Sequence, residues 1–166
     1  DVIQVEAVDA EGGWLYYAAS PENPIERCLH RVRLDGGTPE RLSPAGQQGW
    51  HAYDIAPGAK WAVHTYSTFT TPPVVELVRL PGHEVVRVLA DNRALREKLA
   101  TLRRPTSEFL PVVMGKGLLF DAWCVKPPDF DPSRKYPLLF YVYGEPHGQT
   151  VRNAWPGQHG LWHAML

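Results

Sequence analysis

Along the first 90 residues, apolar and polar positions alternate in short bursts, and turn-forming residues separate them at close intervals. The runs Trp14–Ser20 (WLYYAAS), Leu29–Leu34 (LHRVRL), Trp61–Ser67 (WAVHTYS) and Val75–Leu80 (VELVRL) have the length and the aromatic and β-branched content of strands. Gly12-Gly13, Asp35-Gly36-Gly37, Pro57-Gly58 and Pro81-Gly82 stand between such runs and supply the backbone freedom that tight turns need. Leu29-His-Arg-Val-Arg-Leu34 alternates apolar and basic residues, the pattern of a half-solvated strand and not of a phosphate-binding patch.

These runs recur. Trp14–Ser20 aligns with Trp61–Ser67 at an offset of 61 − 14 = 47, Leu29–Gly36 with Val75–Gly82 at 82 − 36 = 46, and Pro39–Leu42 with Val86–Leu89 at 89 − 42 = 47. Three or four short strands in about 47 residues is the size of one β-propeller blade. A ring takes about four to eight blades, so two repeats predict part of a longer propeller.

After the second repeat the period changes. Asp91–Leu102 carries a capping residue in Asp91 or Asn92, leucines at 95, 99 and 102, and charges on the other face; it reads as a short helix that stops before Arg104-Pro105. Phe109–Met114 and Leu118–Lys126 are strand-like and flank Gly115-Lys116-Gly117, a hairpin signature. The Pro127–Pro132 stretch reads as a surface loop. Tyr136-Pro-Leu-Leu-Phe-Tyr-Val-Tyr143 is almost continuously apolar, as a strand covered by helices on both sheet faces would be, and predicts an α/β layer. It runs into Gly144-Glu145-Pro146-His147-Gly148, a loop at the carboxyl end of the expected strand, where α/β sheets gather their ligands. Gly160–Leu166 reads as the start of an amphipathic helix.

Composition narrows the classes. The 166 residues are 44% apolar and 21% charged, with 17 basic against 18 acidic groups and a net charge of −1. That is a globular composition without the basic excess that drives nucleic-acid binding. No run approaches the roughly 20 apolar residues of a membrane span, and residues from Asp1 onward show no signal-peptide pattern. Cys28 and Cys124 lie 96 positions apart with no metal-binding spacing, and are expected to be ordinary thiols packed in strands. His159 and His163 have the i, i+4 spacing of a metal pair, but no third ligand accompanies them, and His83-Glu84 lacks the second histidine of H-E-x-x-H. No metal and no organic cofactor is therefore expected. His51, His64 and His147 are expected at the surface or in hydrogen bonds.

The order of two blades, a linking helix and then the stretch KPPDFDPSRKYPLLFYVYGEP (Lys126–Pro146) resembles the prolyl oligopeptidase family of serine peptidases, and within it the dipeptidyl peptidase IV branch. VLADNRAL (Val88–Leu95) resembles the junction after that branch's last blade. The resemblance implies a mixed β and α/β fold, the last two blades of a β-propeller followed by the first strands of an α/β-hydrolase domain. Its expected boundaries are 1–91 for the blades, 92–104 for the linking helix and 105–166 for the start of the peptidase domain. It further implies short peptide substrates, cleavage after proline or alanine, a dimer of the full-length protein as in many relatives, and a lean toward a periplasmic or extracytoplasmic location.

In that branch the strand-end tyrosine donates its hydroxyl to the oxyanion hole, and the matching residue is Tyr143. The loop commonly reads Tyr-Gly-Gly-Pro or Tyr-Ala-Gly-Pro in relatives, whereas here Glu145 occupies the third position and adds a carboxylate. Glu145 and His147 are weaker candidates for touching substrate. None of the five serines, Ser20, Ser43, Ser67, Ser107 and Ser133, sits in G-x-S-x-G, and no Glu-Glu pair of the kind that grips a substrate's amino terminus is present. The nucleophile, acid and base are thus expected beyond Leu166. The alternative is a non-catalytic propeller scaffold bearing an inactive hydrolase-like domain, since fold alone does not fix function.

Overall fold

The two sequence repeats are two four-stranded antiparallel sheets in the computed structural model, which describes residues 2–144 and 148–166. The first comprises Val2–Asp9 (β1), Trp14–Ala19 (β2), Cys28–Arg33 (β3) and Glu40–Arg41 (β4). The second comprises Trp50–Ile55 (β5), Trp61–Ser67 (β6), Val74–Arg79 (β7) and Glu84–Ala90 (β8). Every strand pairs with its neighbour in sequence, the up-and-down order of a propeller blade.

Trp14 and Trp61 each open the second strand of their sheet, so the 47-residue offset is a structural equivalence. Trp14 lies opposite Arg33 across β2 and β3, and Trp61 opposite Arg79 across β6 and β7. The guanidinium carbons stand 5.2 and 5.0 Å from the indole centroids. Each blade thus repeats one cation–π cross-strand pair, although Trp61 is exposed in the second blade while Trp14 packs beside the buried cluster of the first.

Tyr16, Leu29 and Leu42 of the first blade and Tyr53, Ala62 and Val78 of the second form one buried cluster. The blades are also joined through their backbones. The Arg27 N–H donates to the Gly49 carbonyl (3.2 Å) and the His51 N–H to the Arg27 carbonyl (3.0 Å). Gly49 lies close against the end of β6: its φ is +142°, and a Cβ there would lie 2.6 Å from the Ser67 carbonyl oxygen.

The linking helix is Arg93–Ala100 (α1). Asp91, not Asn92, supplies the capping oxygen, accepting from the Arg93 N–H at 2.9 Å. Asn92 adopts a left-handed conformation (φ 50°), and its side chain donates to the Pro73 carbonyl at 2.7 Å, tying the helix start to the second blade. Leu99 is the buried residue of this helix. Thr106–Met114 (β9) and Leu118–Lys126 (β10) form the expected hairpin, paired without a slip from Met114↔Leu118 to Thr106↔Lys126 around the turn Gly115–Gly117. Cys28 is buried in β3, Cys124 is half-buried in β10, and both are free.

Two expectations are corrected. The run 136–143 forms no strand, and its apolar side chains are exposed, Val142 by 82%. Apolarity describes the surface a strand would present to a sheet, but a strand exists only through a ladder, and among the described residues no sheet takes in this run. The last helix runs over Gly157–His163 (α2), earlier than expected, and residues 164–166 leave it. Among the described residues, no helix is long and apolar enough to cross a membrane.

Candidate functional site

Tyr143 ends the exposed apolar run and is itself 47% exposed. Its ring lies so close to Gly148 that a Cβ added there would overlap it, so the backbone comes in beneath the ring only because position 148 is a glycine. Glu145 and His147 lie outside the described residues.

The chain that follows is bound to both blades. Gln149 Nε2 donates to the Pro24 carbonyl at 2.8 Å, and the Asn153 N–H donates to the Ile25 carbonyl at 2.7 Å, both in the β2–β3 connection. The Phe69 N–H, in the β6–β7 connection, donates to Asn153 Oδ1 at 3.0 Å, and the Trp155 N–H donates to Ser67 Oγ at 3.2 Å. The Arg152 guanidinium lies 5.3 Å from the Trp50 ring centroid. Upstream of Tyr143, the Tyr141 ring stands 6.5 Å from Trp123, which stands 5.7 Å from Phe69.

Between these segments, α1 and α2 opens a cavity of about 680 Å³, walled in part by Phe69, Leu99, Trp123, Tyr141 and Trp155. His159 and His163 also reach its wall, and His163 packs on Trp123 at 5.4 Å and on Tyr141 at 5.6 Å. Among the described residues, no three histidine, cysteine or carboxylate side chains group to hold a metal.

Four of the five serines are engaged structurally. Ser43 Oγ accepts from the Leu29 N–H and shares a hydrogen bond with Tyr53, Ser67 accepts from Trp155, Ser20 donates to the Glu26 carbonyl, and Ser133 donates to Asp131. These bonds hold turns and strand ends, so these four hydroxyls serve local structure.

A second polar cluster lies inside the second blade. His51 and His64 are only 1% and 0% exposed. The Gln47 carbonyl can only accept, so His51 Nε2 donates to it (2.9 Å) and His51 Nδ1 accepts from His64 Nε2 (2.9 Å). His64 Nδ1 then faces the Glu76 carboxylate at 3.3 Å. His83 Nε2 meets the Tyr53 hydroxyl at 2.9 Å. Burial, reinforced by His83, holds His51 down at about 4, and burial with the neighbouring His83 and His51 holds His64 at about 3. Burial likewise lowers His83 and raises Tyr53. The two histidines expected at the surface or in hydrogen bonds are therefore hydrogen-bonded core residues. Strand alternation carried the signal, because His51 and Tyr53 share one face of β5, and His64 shares the inward face of β6 with Ala62.

The family model described as the dipeptidyl peptidase IV (DPP IV) N-terminal region matches residues 1–73. Two fungal proteins named "Probable dipeptidyl-aminopeptidase B", from Emericella nidulans and Aspergillus clavatus, are 34% and 31% identical to this chain over 147 residues. Each match covers 87% of this chain and 16% of the relative, so the chain spans about a sixth of their length. The crystal structure of Porphyromonas gingivalis dipeptidyl peptidase 4 superposes on 97% of this chain and 23% of that one, with a TM-score of 0.85 and 35% identity.

Proposed function

This chain is dipeptidyl peptidase IV-like, and on that premise we propose that it carries part of a serine-type peptidase that removes dipeptides from short peptides after proline or alanine. Tyr143 supplies one oxyanion donor, and the Ser-Asp-His triad follows Leu166. Residues 1–91 belong to the propeller and 105–166 begin the α/β-hydrolase domain, with α1 between them.

The observation that carries this reading is the order of elements, two blades, helix, hairpin and apolar run, shared over 97% of the chain with a dipeptidyl peptidase 4. The run 137–142 supports it further, since its exposed leucines, Phe140 and Val142 are what neighbouring strands and covering helices of a catalytic sheet would bury. At the end of such a strand a tyrosine hydroxyl points at the place where chemistry occurs. As the scissile carbonyl becomes tetrahedral its oxygen gains charge, and a fixed donor there stabilises the transition state by about 3–4 kcal/mol.

The test is reaction of the full-length protein with a fluorophosphonate probe, followed by mass spectrometry of the labelled peptide. A single labelled serine beyond Leu166 supports the peptidase, and a folded sample that takes no label overturns it in favour of a scaffold. Tyr143→Phe in the full-length enzyme lowers kcat about a hundredfold or more with little change in KM, because the hydroxyl acts in the transition state. An unchanged kcat removes Tyr143 from the mechanism.

A further inference from the structure

Both ends of the Tyr143 segment meet at one residue of the second blade. The Phe69 ring reaches Tyr141, two positions before Tyr143, through Trp123, with centroid separations of 5.7 and 6.5 Å. Its backbone N–H reaches Asn153, ten positions after Tyr143, at 3.0 Å. Phe109 packs edge-on against the same ring at 5.5 Å, so the ring is fixed from the hairpin side as well. Asn153 is itself held from a second direction by the Ile25 carbonyl of the first blade. The turn carrying Phe69 is closed by reciprocal backbone bonds between Thr68 and Thr71, at 3.2 and 3.3 Å, and by the Thr68 hydroxyl accepting from the Thr71 N–H at 3.0 Å. Phe69 is thus presented by a rigid turn.

We propose that Phe69 and Asn153 form a clamp through which the second blade positions Tyr143 for catalysis. The inference rests on the reading of Tyr143 as an oxyanion donor. Neither residue touches the reacting atoms; both are positioning residues. An oxyanion donor is useful only when held where the charge will develop, and a displacement of about 1 Å can cost on the order of a hundredfold in rate. Asn153 is suited to the task because its Oδ1 accepts from one blade while its N–H donates to the other. A carboxylate in its place keeps the acceptor, and a methyl group loses it.

The experiment uses the full-length enzyme and an amino-acyl-prolyl reporter substrate, with kcat and KM measured for Asn153→Ala, Asn153→Asp and Phe69→Leu, each alone and combined with Tyr143→Phe. The clamp predicts that Asn153→Ala lowers kcat by about tenfold or more at nearly constant KM, and that Asn153→Asp recovers most of the loss. In the Tyr143→Phe background the same Asn153→Ala change alters kcat by less than about twofold, because the group it positions is gone. Phe69→Leu keeps the backbone donor but removes the ring, and follows the same non-additive pattern, which provides a second reading should Asn153→Ala fail to fold. Losses that add to that of Tyr143→Phe, or an Asn153→Asp variant as poor as Asn153→Ala, overturn the clamp while leaving Tyr143 in place. A Tyr143→Phe variant with full activity overturns the underlying reading, and the clamp with it.

Discussion

Lowering the pH from 7 to 5 should loosen the second blade before anything else in the chain, because that blade stores two neutral histidines in its interior. His51 and His64 have an ordinary value of 6.5 when exposed, and in the folded blade they are held near 4 and 3. The folded state therefore binds fewer protons than the open state. A group depressed in this way contributes stability that is complete above pH 6.5 and is lost as the pH falls toward the folded value. Between 6.5 and 5 neither folded histidine has taken up its proton, so each loses about 1.4 kcal/mol per pH unit, or about 2 kcal/mol, and the pair about 4 kcal/mol. The groups facing them are the Gln47 carbonyl, the Glu76 carboxylate, His83, and the rings of Tyr53 and Tyr66. Among these, Glu76 is the one that attracts an added proton, at His64 Nδ1. Peptide-level hydrogen exchange on the full-length protein reads the opening free energy of residues 50–67 directly, once the intrinsic pH dependence of exchange is removed. A His64→Leu variant should show about half the slope. An opening free energy that stays flat between pH 7 and 5 would refute the reasoning, and with it the neutral state of the pair.

Other expectations concern packing and chemistry. Gly49→Ala should destabilise by about 2 kcal/mol or more, read as a drop in thermal midpoint, since the added methyl meets the Ser67 carbonyl at 2.6 Å in a backbone conformation that favours glycine. Leu29→Ala, at a fully buried position of the cluster shared by both blades, should cost about 3 kcal/mol in denaturant unfolding. The 166-residue chain by itself should not hydrolyse an amino-acyl-prolyl reporter, because none of its five serines lies in a nucleophile elbow; measurable turnover would place the nucleophile within it.

Much of the architecture was legible because a blade is made of local pairings. The spacing of Trp14 and Trp61, the turn residues and the Gly115-Lys116-Gly117 hairpin each encode a contact between neighbours in sequence, and each is realised. What could not be read depends on partners far along the chain or on inverted polarity. In β6 the apolar Trp61 and Val63 face outward while His64 faces inward, the reverse of what hydropathy suggests. The reversal makes sense once Arg79 is seen to cover Trp61 and His51 to satisfy His64, and neither relation is visible in the run WAVHTYS alone. The run 136–143 misled for the complementary reason, since composition can specify a buried strand but not the neighbours that make it one. The motif around Tyr143 is a local signal, whereas the contacts beyond it join Asn153 to Phe69 across 84 positions, a separation no local pattern encodes.

That separation also sets an order of assembly. Each blade closes through strands adjacent in sequence, which form quickly and need little chain entropy to be spent. The bonds from Gln149, Asn153 and Trp155 back to Pro24, Phe69 and Ser67 span 125, 84 and 88 residues and have nothing to dock on until both blades exist. During synthesis from the N-terminus, the blades therefore serve as the template on which the Tyr143 segment is finished. A chain whose blades have failed to form cannot complete that segment, so the latest-made part of this region acts as a quality check on the earliest.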